Sequence, residues 1–335
     1  MIEVIAPGPY ATVQDLGRPG YAHLGVPRSG AADGPALRLA NRLVGNPEDA
    51  AGIELTFGGA RLRFATGAWA AVTGAPCPLE VLSPHEPALE PSNEPLRELS
   101  HAPHEPQAEP RHELLREFQR EPSHRSAREP GRVVPQGMYA PFWVPAGGRL
   151  RVGPPESGLR SYVAVRGGID APVTMGSRST DSLSGLGPGP LRAGTVLPLG
   201  PAAGLAAITV DAAPPPFSPP PGTGVLRVLP GPRDDWFAPG ATAALCAEPY
   251  EVSQDSNRVG VRMLGARLER ARQGELPSEG MVAGSVQVPP SGQPIVFLAD
   301  HPPTGGYPVI AVLTSADLAV AAQLRPGDRV RFRLV

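Results

Sequence analysis

The sequence has no lysine; all 30 of its basic residues are arginine. That absence removes Schiff-base chemistry and the Walker A loop, whose Lys reaches the β and γ phosphates, so a nucleotide used by this protein would sit elsewhere. Cysteine is nearly absent. Cys77 and Cys246 stand far apart and outside any C-x-x-C pair, which leaves a disulfide framework and a structural zinc site unsupported. No apolar run approaches the length of a membrane span, and the start, MIEVIAPGPY, lacks the basic and apolar regions of a leader. A soluble cytoplasmic protein without membrane contact is expected. The 32 acidic residues nearly cancel the basic ones, for a net charge of −2, so nothing draws the whole molecule toward nucleic acid.

What the sequence has in excess is backbone punctuation, 45 Pro and 40 Gly among 335 residues. Pro removes a donor and clashes inside a helix, and Gly loses the most backbone entropy there, so helical bundles and coiled coils are excluded. Residues 84–130 differ from the rest: 9 Pro, 10 Glu, 6 Arg and 5 of the 7 His, with no Gly and seven Glu-Pro dipeptides. Glu recurs there every four residues, a helical period, but the prolines leave only residues 112–119 as a possible short helix. So few apolar residues cannot offset ordering entropy, and a disordered surface-loop insertion is expected. Its histidines suit Zn, Ni or Cu as residue types, yet their spacings match no ligand pattern; the tract reads as solvated low-complexity sequence and no metal site is expected. A second break, PPPFSPPP at 214–221, predicts an extended spacer. The expected organisation is a β-domain over 1–213 carrying the insertion, the linker at 214–221, and a second β-domain over 222–335.

Period-two alternation marks strands at 60–64 and 329–334, and the apolar run 295–298 suits a central strand. Two short helices are predicted. One starts near Pro35, capped by Asp33, with Leu37, Ala40, Leu43 and Val44 on one face; the other runs from Ser315 to about Leu324. A weak echo, VIAPGP at 4–9 with VLPGP at 228–232 and PAGGRLRV at 145–152 with RPGDRVRF at 325–332, points to two similar halves and a duplicated barrel.

Generic catalytic signatures are missing. There is no G-x-S-x-G or H-E-x-x-H, SGLGPGP at 184–190 reads as a turn, and outside the insertion only His23 and His301 offer imidazole. Two polar, Gly-rich stretches carry the candidates. Residues 12–34 hold Gln14, Asp15, Arg18, Ser29 and Asp33; residues 276–308 lead an apolar strand into Asp300, His301 and a Thr304-Gly305-Gly306-Tyr307 turn. Loops after strands commonly carry ligand groups, and a Gly-Gly turn can cradle an anion. Tight turn chemistry explains the same residues equally well, and for Asp33 the helix cap is the better reading.

The ordered motifs VQDLGRPG, VPRSGAADG, GSRSTD, SQDSNRVGVRM, SEGMVAGSVQVP, GQPIVFLAD and TGGYP resemble the allophanate hydrolase subunit 2 family, which includes the C-type component of bacterial 5-oxoprolinase, KipA-type regulators and part of the carboxyltransferase region of urea carboxylase. The resemblance implies a mainly β fold of two cyclophilin-like β-barrel domains with a few short helices. It implies a KipI-type (allophanate hydrolase subunit 1) partner, leaves room for a LamB/YcsF-type subunit beside it, and implies ATP used by the complex, held mainly by or with a partner, to open 5-oxoproline to glutamate. Glu279, Asp300, Asp15 and Arg18 are then the catalytic candidates; Gln14, Ser29, Asp33, Arg178, Ser278, Gln287, His301, Thr304, Gly305, Gly306 and Tyr307 are the substrate-binding ones. Two alternatives remain. One is a biotin-dependent carboxyltransferase component, with biotin on another chain because the acceptor Lys is absent; the other is a non-catalytic KipA-type module. The chain departs from the family's usual SDRMG and DRQTTGGYP in reading SNRVG and DHPPTGGYP, which exchanges side-chain donors for stiff Pro302 and Pro303.

Overall fold

The computed structural model describes residues 1–84, 132–214, 224–272, 274 and 276–335. The expected insertion and spacer fall, apart from their first residues, outside the described residues.

The chain opens with strand Ile2–Ala6, whose apolar residues face inward, and then meets Pro7-Gly8-Pro9. Proline cannot donate to a ladder, so pairing stops there and the next strand, Tyr10–Gln14, joins a different sheet. Gly8 makes the bend possible. Its φ is 76°, and an added Cβ would stand 1.9 Å from the Gly58 carbonyl oxygen. The first sheet runs in the order Val196–Leu197, Ile2–Ala6, Ala60–Phe64, Arg149–Val152, Leu79–Leu82, Val133–Gln136. The second runs Tyr10–Gln14, Gly52–Thr56, Arg160–Val165, Ala68–Gly74, Pro141–Val144. Their facing sides share one core, with Val4, Leu62, Phe64 and Leu150 from one sheet against Val13, Ile53, Leu55 and Val163 from the other.

Helix α1, Gly34–Leu43, covers the outer face of the second sheet. Ala40, Leu43 and Val44 pack on Ala71 and Ala164, and Leu37 packs on Tyr162. Strand Arg160–Val165 is therefore buried on both faces along its whole length, which explains why RSYVAV shows no alternation.

The C-terminal strands form a closed barrel in the order Gly224–Pro230, Val309–Leu313, Ser285–Gln287, Ile295–Phe297, Gly260–Leu264, Tyr250–Val252, Arg329–Leu334, sealed by parallel pairing of the last with the first. Helices α2, Ala241–Ala247, and α3, Ser315–Ala322, pack beside it. The mainly β reading, the predicted strands and the two predicted helices match the structure. Helix α2 lies outside the predicted elements, since it is short and starts at Gly240 with no side-chain cap. The closed ring belongs to the C-terminal half, whereas the N-terminal strands divide between two facing sheets because the Pro7–Pro9 bend carries the chain from one to the other. The echoed segments also differ in pairing. Gly224–Pro230 and Arg329–Leu334 are neighbours, but Ile2–Ala6 and Arg149–Val152 have Ala60–Phe64 between them.

The barrel core centres on Phe332, 1% exposed and edge-on to Tyr250 at 5.7 Å between centroids. Phe332→Ala should lower unfolding free energy by about 3–5 kcal/mol, read from the urea midpoint at unchanged slope. A loss below about 1 kcal/mol would mean that the barrel does not pack around this ring.

Candidate functional site

The site is built on the seam between the halves. In GIELT, Ile53 and Leu55 enter the first core, so the alternation of the strand turns Glu54 to the opposite face, beneath the approach to α1. There it is 1% exposed. Its carboxylate accepts from Ala32 N at 3.0 Å, from the Tyr162 hydroxyl at 2.8 Å and from Arg258 Nη1, and Arg160 Nε lies 3.4 Å away. Arg258 comes from the C-terminal half. Its Nε donates to Asp300 Oδ2 at 2.9 Å, and its Nη2 donates to Asp300 Oδ1 at 3.0 Å and to the Gly30 carbonyl at 2.6 Å. Asp300, fully buried, also accepts from Ser182 N at 3.0 Å and Ser182 Oγ at 2.5 Å, returning the network to the N-terminal half.

Burial alone pushes the Glu54 carboxyl up, but the Arg258 and Arg160 guanidinia outweigh it and hold it below the usual carboxylate range. Burial likewise disfavours a charged Arg258, and Glu54 with Asp300 reverses this, raising its pKa. Asp33 behaves oppositely. Burial pushes its carboxyl up despite hydrogen bonds from Gln323 Nε2 at 2.7 Å and Ala36 N at 3.0 Å, the second being the expected helix cap.

A second network ties loop 12–18 to loop 174–187. Asp15 Oδ1 accepts from Gly17 N at 2.8 Å, Ser177 Oγ at 2.6 Å and Ser179 Oγ at 2.5 Å, while Oδ2 accepts from Arg178 N at 2.6 Å. Arg18, 1% exposed, donates to the carbonyls of Ser179 at 2.5 Å and Thr174 at 3.4 Å; its Nη1 has no partner, and neither has Gln14 Oε1. Among the described residues Arg18 has no carboxylate partner.

Two compartments adjoin here, the larger within the N-terminal half and the smaller between the halves. The larger, about 530 Å³, is walled by Asp15, Gly17, Asp170 and Arg178; the smaller, about 210 Å³, by Ser29, Ala283, Ala299 and His301; Leu16, Arg28 and Arg38 border both. Ser29 sits at φ 54°, a left-handed conformation uncommon outside Gly, and its buried Oγ has no partner. An unmet buried hydroxyl costs about 1–3 kcal/mol, so Ser29 carries both backbone strain and a donor left idle among the described residues. Its N–H donates to Ala299 O at 3.1 Å, fixing Ser29 against the strand end that delivers His301. His301 Nδ1 lies 2.8 Å from the Pro302 carbonyl, a contact that puts the proton on Nδ1 and leaves Nε2 as the acceptor of the neutral ring.

The remaining predicted residues lie apart. Asp33 borders a separate cavity of about 460 Å³, across Pro35 and Ala319 from the smaller compartment. Glu279 belongs to a two-stranded ladder, Glu279–Gly280 with Thr304–Gly305, beside exposed Ser278. Arg233 grips it from Nε at 2.9 and 3.0 Å, and that hydrogen bonding holds its carboxyl below the ordinary range. Gln287 anchors this turn through the Tyr307 carbonyl at 3.0 Å, and Gly306 accepts there from Leu276 N at 2.9 Å. Glu54, Arg160, Arg258, Arg28 and Arg38 are site residues that sequence reasoning misses. A carboxylate inside the apolar run GIELT is the available signal for Glu54.

The architecture is a two-sheet unit joined to a closed barrel, with the smaller compartment at the seam. The chain belongs to the family described as "Carboxyltransferase domain, subdomain A and B", whose model matches residues 24–93 and 126–334; the gap falls inside the Glu-Pro tract. It is 35% identical to the C-type component of 5-oxoprolinase from Escherichia coli (strain K12), over 99% of this chain and 90% of that protein. It is 30% identical to urea amidolyase of Lachancea kluyveri over 98% of this chain, but only 17% of that longer protein. The crystal structure of TTHA0988 superposes with a TM-score of 0.74 at 33% identity over 99% of this chain, which spans 55% of that one.

Arg258→Met should destabilise by about 3–5 kcal/mol, because Glu54 and Asp300 are left buried without their cation. Since the folded-state pKa of Glu54 is depressed, its stabilisation is complete above about pH 4.3 and is lost as pH falls through the folded value. The raised pKa of Asp33 acts in the other direction, favouring the fold when protonated and losing that contribution as pH rises through it. Urea midpoints between about pH 3 and pH 7 should thus show a shallower acid limb in Glu54→Gln than in the parent; parallel limbs would contradict the assignment.

Proposed function

We propose that this chain is the C-type component of an ATP-dependent 5-oxoprolinase, acting with a KipI-type subunit and a LamB/YcsF-type subunit to open 5-oxoproline to glutamate. One observation carries the reading. Likeness to the C-type component of a 5-oxoprolinase runs through 99% of this chain and 90% of that protein, at 35% identity, so the two correspond along their whole lengths.

The cleft suits the chemistry. Opening a lactam requires water to add to the ring carbonyl carbon, a proton to reach the ring nitrogen, and the C–N bond to break. His301 Nε2 takes the proton from the attacking water and returns it to the departing nitrogen, while Ser29 Oγ and Arg28 donate to the carbonyl-derived oxygen. ATP, when bound, would supply a phosphoryl group to the amide oxygen with ADP as the leaving group, making the carbon electrophilic, and that phosphoryl would depart as inorganic phosphate to a second water after the C–N bond has broken. Without Lys the chain has no Walker A loop, and the adenine end is assigned to a partner.

Asp300 and Asp15, whose carboxylates each accept several hydrogen bonds, position the loops and do not exchange protons in this reading. Glu279, held by Arg233, takes no part in this reading.

The carboxyltransferase alternative draws on the family model and the urea amidolyase likeness, and requires biotin on another chain. Reconstituted complexes offered 5-oxoproline, urea and allophanate separate the readings. Glutamate release should require ATP and fall by about 10²–10⁴ in His301→Gln, with a smaller fall in Ser29→Gly. Turnover of urea or allophanate alone selects the carboxyltransferase reading, and a stable but inactive complex selects a KipA-type regulatory module.

A further inference from the structure

The smaller compartment carries an imbalance that lactam binding does not explain. Arg28, Arg38 and His301 border it with no carboxylate among the described residues of its wall, whereas the larger compartment also carries Asp15, Asp49 and Asp170. Arg28 is exposed and makes no ion pair among the described residues. Arg38 lies 3.2 Å from Glu48, but Glu48 is shared with Arg42 at 2.8 Å, so one negative charge serves two guanidinia. Helices α1 and α3 both begin on this wall, at Gly34 and Ser315, but Asp33 caps the first and Asp317 stands in the first turn of the second, so the positive charge here is that of the arginines. Ser29, 4% exposed, adds a hydroxyl with no partner.

We propose that Arg28, Ser29 and Arg38 form a binding site for a phosphoryl group in the smaller compartment. Two guanidinia and a hydroxyl supply more donors than a carboxylate uses, and they suit a tetrahedral dianion. The assignment deepens the 5-oxoprolinase reading and rests on it for the source of the phosphoryl group. This chain then contributes the phosphate end of the ATP-dependent step, and the partner contributes the nucleoside end. The left-handed backbone at Ser29, with Gly30 at φ 90° packed on the Gly17 backbone, aims the hydroxyl by holding the loop rigid.

The test is calorimetric titration of the full chain with inorganic phosphate and, separately, acetate at fixed ionic strength. Phosphate should bind about tenfold more tightly than acetate, and Arg28→Gln and Ser29→Gly should each weaken it about tenfold. Gly tolerates the left-handed conformation, so Ser29→Gly removes the hydroxyl without straining the loop. Arg331→Gln, an exposed change on the barrel wall, controls for net charge and should leave phosphate affinity unchanged. Acetate binding as tightly as phosphate, phosphate binding that ignores both substitutions, or no phosphate binding overturns the site. Such a result beside a complex that still releases glutamate rejects the site alone. Phosphate binding as expected in a complex that processes only urea or allophanate rejects the 5-oxoprolinase reading alone.

Discussion

Arg258 is the side chain on which the arrangement of the two halves depends. One guanidinium satisfies Glu54 and the Gly30 carbonyl of the N-terminal half and Asp300 of its own half. Removing two carboxylates and a guanidinium from water costs several kcal/mol per ion, and the desolvation is offset only where fork geometry and accessory donors meet every lone pair. Ala32, Tyr162 and Ser182 supply those donors, and Arg160 adds a second positive charge 3.4 Å from Glu54. The network is therefore specific to one docking geometry. A displacement of the halves would expose some of these charges unpaired, whereas two apolar faces could slide at lower cost. Gln323 extends the same logic, accepting from the N–H groups of Leu159 and Arg160 at 2.9 and 2.8 Å while donating to Asp33.

The shape of the smaller compartment follows from that fixed docking. The smaller compartment takes Ser29 and the arginines from one half and His301 from the other, so its dimensions are set by the seam. Asp300 adjoins His301, and Gly30 adjoins Ser29; Arg258 binds Asp300 and the Gly30 carbonyl at once. The charge network thus sits one residue behind each of the two groups assigned to the chemistry. The family's polar motifs serve two purposes, some reaching the cleft and others holding the loops that do.

Legibility in the sequence follows the range of the interactions. Helix α1 is readable because Asp33, Pro35 and the apolar face at Leu37, Ala40 and Leu43 act within a few residues of one another. The alternating strands at 60–64 and 329–334 are readable for the same reason. Division of the N-terminal strands into two sheets is not, since pairing is decided by partners far away in the chain. In the site, Asp15, Ser29, Arg178 and His301 are nameable from sequence and do border the cleft. Asp300 suits proton transfer by residue type, but type alone does not reveal that Arg258 and Ser182 occupy its oxygens. Arg258 stands inside the motif SNRVG and gives no local sign of its role, because its partners are 42 and 204 positions distant.

The absence of lysine acquires a physical meaning at this seam. A lysine ammonium placed where Arg258 stands would be a point charge with three donors on a flexible stem, unable to present a planar fork to Asp300 while also reaching Glu54 and Gly30. Burial would also lower its pKa, so that the cation itself would become conditional on pH. Guanidinium keeps its charge when buried and fixes the directions of its five N–H groups. The same argument applies to Arg18 and Arg160, 1% and 2% exposed, each held largely by backbone carbonyls or a single carboxylate. A fold that encloses its cations between two β units needs bases that remain charged without water, and arginine is the side chain that meets that condition.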